Sequence, residues 1–145
     1  MIGQLVVGSL LIGLAIIIHA GFMASAVRAL RRSRDWLSRP PLFAKLILAL
    51  AGVALWLLLG MTITVWIWAI YFLHVGALAD IETAVYFSLV SFTTLGFGDI
   101  ILAKEYRLLS GLLAANGLIL FGLTTAFLIE FMQRLYQAQS RSTDT

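Results

Sequence analysis

Apolar residues run along this chain in three long blocks, 2–27, 42–73 and 108–131, and in one short block, 81–93. A helix needs about 20 residues to cross a hydrocarbon layer of roughly 30 Å, so the long blocks predict three spanning helices. The short block holds about a dozen residues and carries Glu82 near its start, which suits a half-span entering and leaving on one side. Pro40 and Pro41 mark the start of the second span, since Pro is tolerated in a first helical turn. The predicted elements are a helix over 1–27, a linker over 28–41, helices over 42–75, 81–93 and 106–136, and a tail over 137–145.

Composition identifies the solvent. The 145 residues are 61% hydrophobic and 12% charged, with a mean hydropathy of +1.00. A chain of this length cannot hide so much apolar surface from water, so the fold class is an all-α membrane protein. Charge then orients it. Arg28, Arg31, Arg32, Arg34, Arg39 and Lys45 face a single acid, Asp35, between the first two spans, and Arg134 and Arg141 follow the last. By the positive-inside rule both regions are expected in the cytoplasm, with the N-terminus outside and the C-terminus inside, in the plasma (cell inner) membrane. The basic linker is expected to meet anionic lipid headgroups of the bilayer. Around the short helix Asp80, Glu82, Asp99 and Glu105 outweigh Lys104 and Arg107, giving a formal balance of −2. That outer, acidic side raises the local concentration of cations. Ala24-Ser25-Ala26 looks like a signal-peptidase site, yet the preceding apolar block is long and no positive charge precedes it, which favours a retained helix. Trp66, Trp68 and Tyr71 crowd one end of the second span, as in an interfacial belt or a helix contact. There is no cysteine, no nucleic-acid motif, and no nucleophile–base pair or phosphate loop, so an enzyme is not expected and no cofactor is implied.

The segment 91–100, Ser-Phe-Thr-Thr-Leu-Gly-Phe-Gly-Asp-Ile, carries the chemistry. Gly96 and Gly98 can take φ > 0 at little steric cost, which lets successive carbonyls turn toward one axis while Leu95 and Phe97 direct their side chains away from it. Thr93-Thr94-Leu95-Gly96-Phe97-Gly98-Asp99 resembles the Thr-Thr-Val-Gly-Tyr-Gly-Asp signature of the tetrameric potassium channels, over residues 45–135. The resemblance implies a pore helix over 81–93, a selectivity filter over 94–98, an outer helix before them and an inner helix after. It implies potassium as the permeant ion, held at Thr94, Leu95, Gly96 and Phe97. Thr93, Asp99, Tyr86 and Val90 support the filter in this reading. Leu95 and Phe97 depart from the signature, and Phe97 lacks the hydroxyl of a Tyr. Val90 stands where some members place a carboxylate that pairs with the Asp after the filter, leaving Asp99 to find Tyr86 or water.

In the inner helix, Asn116-Gly117 and Phe121-Gly122-Leu123-Thr124-Thr125-Ala126 extend the resemblance. Gly117 matches a hinge glycine, with a packing contact as the alternative. Leu118, Phe121, Thr125 and Ile129 step by three or four residues along one face, which is expected to line the cavity and gate. Since one loop cannot surround an ion, the resemblance implies a homotetramer around a central pore. No array of spaced arginines lies within a span, so strong voltage sensing is not expected. His19 reads as a ring hydrogen-bonded inside a helix contact and His74 as a solvated helix end, although either could titrate near neutrality. Glu130 and Arg134 read as an exposed i,i+4 pair. Other functions that fit are a weakly selective cation channel, a non-conducting accessory subunit and a component of a transporter. Potassium transporters of that kind resemble four fused repeats with degenerate filters, whereas this chain carries one repeat with an intact motif.

Overall fold

The computed structural model describes residues 2–33 and 42–140. They form four helices: α1 (Ile2–Arg32), α2 (Leu42–His74), α3 (Ile81–Phe92) and α4 (Arg107–Ser140). Three are long and apolar enough to cross a membrane, and α3 is the short apolar helix. The protein is an all-α membrane protein. Exposed Leu10, Ile17, Leu55 and Leu58 are what a lipid-facing surface requires.

Two helix ends lie further along the chain than the apolar pattern placed them. Helix α1 continues past residue 27 through Arg28, Arg31 and Arg32. Arginine is a good helix former, and cations favour the negative end of the helix dipole. Helix α4 likewise runs past 136 into Gln137 and the residues expected to be tail. Hydropathy marks where lipid contact ends, and the helix itself need not stop there. Arg34 and Arg39 of the linker lie outside the described residues.

Local caps shape the end of the bundle that carries the loop after α3. Gly76 at φ +69 ends α2, with Ala77 N donating to Phe72 O at 2.9 Å and Gly76 N to Leu73 O at 3.0 Å. This left-handed cap reverses the chain in a few residues. Asp80 then caps α3 from extended backbone (φ −140, ψ 161), accepting from Thr83 N at 2.8 Å and Thr83 Oγ1 at 2.7 Å. Those hydrogen bonds to the charged carboxylate hold the Asp80 pKa below its ordinary range. Tyr106 Oη donates to Val75 O at 2.9 Å, fastening the start of α4 to the end of α2, and Arg107 Nε donates to Leu102 O at 3.1 Å in the loop before α4.

Helix α3 packs against both α2 and α4. Trp68, Phe72, Phe87, Phe92, Leu109 and Leu113 make the core there, with the Phe72 and Phe87 rings edge-on at 5.4 Å. Trp68 is fully buried, so it belongs to this core and not to an interfacial belt; Trp66, two residues earlier and about 200° around the helix, is exposed. Helix α1 runs parallel to α4. A Cβ at Gly8 would overlap Leu112 near the start of α4, His19 meets Thr124 midway, and Leu30 packs on Phe131 and Leu135 at the far end. The N-terminal end of α1 and the loop after α3 therefore share one end of the bundle.

Candidate functional site

The loop after α3 hangs from the last turn of that helix. Thr94 N donates to Ser91 O at 3.0 Å, and Leu95 N and Gly96 N both reach Val90 O, at 3.0 and 3.4 Å. Thr93 Oγ1 donates to Leu89 O at 2.8 Å, with Val90 O at 3.3 Å. Beyond these anchors the backbone alternates in hand: Thr94, Gly96 and Gly98 have φ of 60, 53 and 77, and Leu95 and Phe97 between them are not left-handed. A regular strand points successive carbonyls to opposite sides. Alternation between mirror-image backbone regions turns them to the same side, which is the requirement for an ion-coordinating row.

The glycines announced this geometry; Thr94 did not. A β-branched residue at positive φ is a genuine outlier, costing about 1–3 kcal/mol. No local signal in the sequence marks it, because threonine otherwise prefers extended backbone. Leu95 and Phe97 are 59% and 66% exposed, so this chain alone leaves most of each uncovered.

Tyr86 Oη donates to Asp99 Oδ2 at 2.6 Å, and Ile100 N donates to Asp99 Oδ1 at 3.0 Å. The Tyr86 bond, first among the causes, holds the Asp99 carboxyl below its ordinary range. Val90 is buried and offers no polar atom from its side chain, so the stem of the loop is tied to α3 by a phenol. The aromatic pair divides its work: Tyr86 is half-exposed and reaches Asp99, whereas Phe87 is buried against Phe72.

On α4 the expected stripe is exposed along its whole length, Phe121 included at 40%. Leu118, Thr125 and Ile129 are exposed, and Thr125 Oγ1 donates to Phe121 O at 2.9 Å, which leaves its lone pairs outward. Phe121 also leans on Phe92, with ring centroids 5.6 Å apart. Gly117 meets the backbone of Phe92, the last residue of α3, so closely that an added Cβ would overlap the Phe92 carbonyl oxygen. Of the hinge and packing readings, this geometry supports packing. Fully buried beside Gly117 in sequence, Asn116 has no partner for either amide atom, and Ser88 Oγ and Trp68 Nε1 are likewise enclosed without partners.

His19, fully buried on α1, is hydrogen-bonded through Nε2 to Thr124 Oγ1 at 2.7 Å. Two residues 105 positions apart made this link invisible before folding. His74 is exposed at the end of α2. Arg134 Nε and Glu130 Oε1 form the exposed i,i+4 pair at 2.7 Å. Among the described residues no three His, Asp or Glu side chains converge on a possible metal site.

Set beside known proteins, residues 46–134 match the model of a family described as "Ion channel". The match covers α2 from its first turns, all of α3, the loop and most of α4, and leaves out α1. No curated protein and no solved structure matches the chain.

Proposed function

The chain belongs to this ion-channel family, and from that premise we propose that it conducts potassium passively and selectively through a filter formed by Thr94, Leu95, Gly96, Phe97 and Gly98. The alternation of left-handed residues at 94, 96 and 98 carries the reading. Four copies around a central axis bring four such rows of carbonyls together and replace the hydration shell of a potassium ion. The exposed side chains of Leu95, Phe97 and Leu89 then have neighbouring copies to pack against. The C-terminal end of α3 points its negative dipole end toward the loop, favouring a cation. Leu118, Phe121, Thr125 and Ile129 line the cavity below, and the acidic outer flank concentrates cations at its mouth. The N-terminus lies outside and the C-terminus in the cytoplasm, in the plasma membrane, with the basic end at the inner leaflet.

Ion flux from purified protein in liposomes, under potassium or sodium gradients, tests this reading. Gly96→Ala and Gly98→Ala place a Cβ at φ 53 and 77, a strain of about 1–3 kcal/mol at each site in each copy. Potassium flux or its preference over sodium should be lost while the assembly survives. An unchanged preference in both variants would remove the filter assignment. A weakly selective cation channel is the second reading, favoured by Phe97, which is exposed and has no hydroxyl to brace the filter; comparable potassium and sodium flux in the wild type would decide for it.

A further inference from the structure

At the end of the bundle away from the filter, α1, α2 and α4 leave a groove of about 430 Å³, within the usual size of a small-molecule site. Phe131 of α4 forms one side, Ser25 and Ala29 of α1 another, and Leu48 and Gly52 of α2 a third. Trp56 stands at the filter-side end, its indole N–H donating to Ser25 Oγ at 2.8 Å and its ring 4.8 Å from Phe22. The space exists because Ala29 and Gly52 are small. Its walls are almost wholly apolar, so water finds few partners there, and a hydrocarbon segment fits better.

Charge selects among hydrocarbons. Arg32 lies seven residues after Ser25 and so falls on the same face of α1, one turn beyond Ala29. Lys45 stands three and four residues before Leu48 and Ala49, on the groove face of α2. Both walls thus carry a cation at the end of the groove away from Trp56, with exposed Arg28 and Arg31 nearby. An amphiphile with an apolar chain and an anionic head satisfies both features. The same end of a second copy carries the same cations, and like charges oppose its docking there.

We infer that this groove binds one acyl chain of an anionic phospholipid, with the lipid phosphate at Arg32 and Lys45. The site lies outside the filter and stands whether or not the channel prefers potassium. Native mass spectrometry of the full chain, offered phosphatidylglycerol or phosphatidylcholine with identical acyl chains, tests it. The wild type should retain phosphatidylglycerol preferentially. Arg32→Gln should weaken phosphatidylglycerol retention about 5-fold and leave phosphatidylcholine unchanged. Gly52→Leu should reduce both, because a Cβ at Gly52 meets nothing within 4 Å and the side chain can occupy the groove; Ala29→Leu fills it from the opposite wall if Gly52→Leu does not assemble. Equal retention of the two lipids by the wild type would overturn the inference. So would undiminished phosphatidylglycerol retention in both filled variants, which would mean attraction to the basic surface alone. The chain has no native cysteine, so a disulfide between copies through Gly52→Cys would place a second copy in the groove and also overturn it.

Discussion

Helix α4 is gripped on two sides by different physics. Toward α3, Gly117 removes a side chain so that the Phe92 backbone can sit against the helix. Toward α1, a polar bond, His19 to Thr124, joins two helices that also pack through apolar side chains such as Leu112, Leu30 and Phe131. Lipid tails are as apolar as leucine, so helices in a membrane associate through close packing and hydrogen bonds instead of through escape from water. The α3 contact uses the first means and the α1 contact adds the second. They differ in tolerance. A glycine notch against backbone cannot yield, whereas a hydroxyl that loses its imidazole can turn back to a carbonyl of its own helix.

Gly117→Ala should break the first contact with the largest effect. The obstacle is the Phe92 carbonyl, which cannot rotate away as a side-chain tip would, and the cost should approach the upper end of overpacking, about 3 kcal/mol per chain. Thermal unfolding should show it together with loss of the potassium preference proposed above, because Phe92 leads into the 93–99 loop. An alanine variant with wild-type stability and altered open probability alone would return Gly117 to the hinge reading. Gly122, five residues on, provides the control: its Cβ meets nothing within 4 Å, so Gly122→Ala should be near neutral in stability.

The α1 contact should yield less. His19→Leu keeps roughly the volume and removes the bond to Thr124, for an expected loss of about 0.6–1.7 kcal/mol. A double-mutant cycle with Thr124→Val measures the coupling. Ion selectivity should not change, since α1 lies outside the matched segment and touches neither Asp99 nor the loop anchors. A selectivity change in His19→Leu would show that the two contacts on α4 are not independent.

The smallest expected effect lies at the mouth of the 93–99 loop, where Tyr86→Phe sharpens the comparison by testing a hydrogen bond in water. Asp99 has a lowered pKa, chiefly from Tyr86. The contribution of that bond is therefore complete above the ordinary Asp value of about 3.9 and is lost as pH falls through the lower folded value. The wild-type mouth should not change between pH 8 and about 5. Tyr86→Phe should move the Asp99 titration back toward the ordinary range, as read by NMR of its carboxyl carbon. A titration identical to wild type would mean that water, not Tyr86, holds Asp99.

Much of the protein is written locally. The length of each apolar block separates the three spans from α3, because the thickness of a bilayer is a ruler any segment meets by itself. Asp80 as a cap and the alternating glycines of the loop are also decided within a few residues, by the hydrogen bonds and backbone angles those side chains permit. Tertiary structure decided what depends on a neighbour. Gly117 and Gly122 look alike in sequence, and only the approach of Phe92 separates them. Trp66 and Trp68 are equally aromatic, and only the position of α3 and α4 buries the second. Thr94 takes a left-handed backbone that its own side chain disfavours, anchored by hydrogen bonds to the last turn of α3. His19 found Thr124 for the same reason: burial, strain and partnership are properties of pairs of residues, and a linear pattern records only their single members.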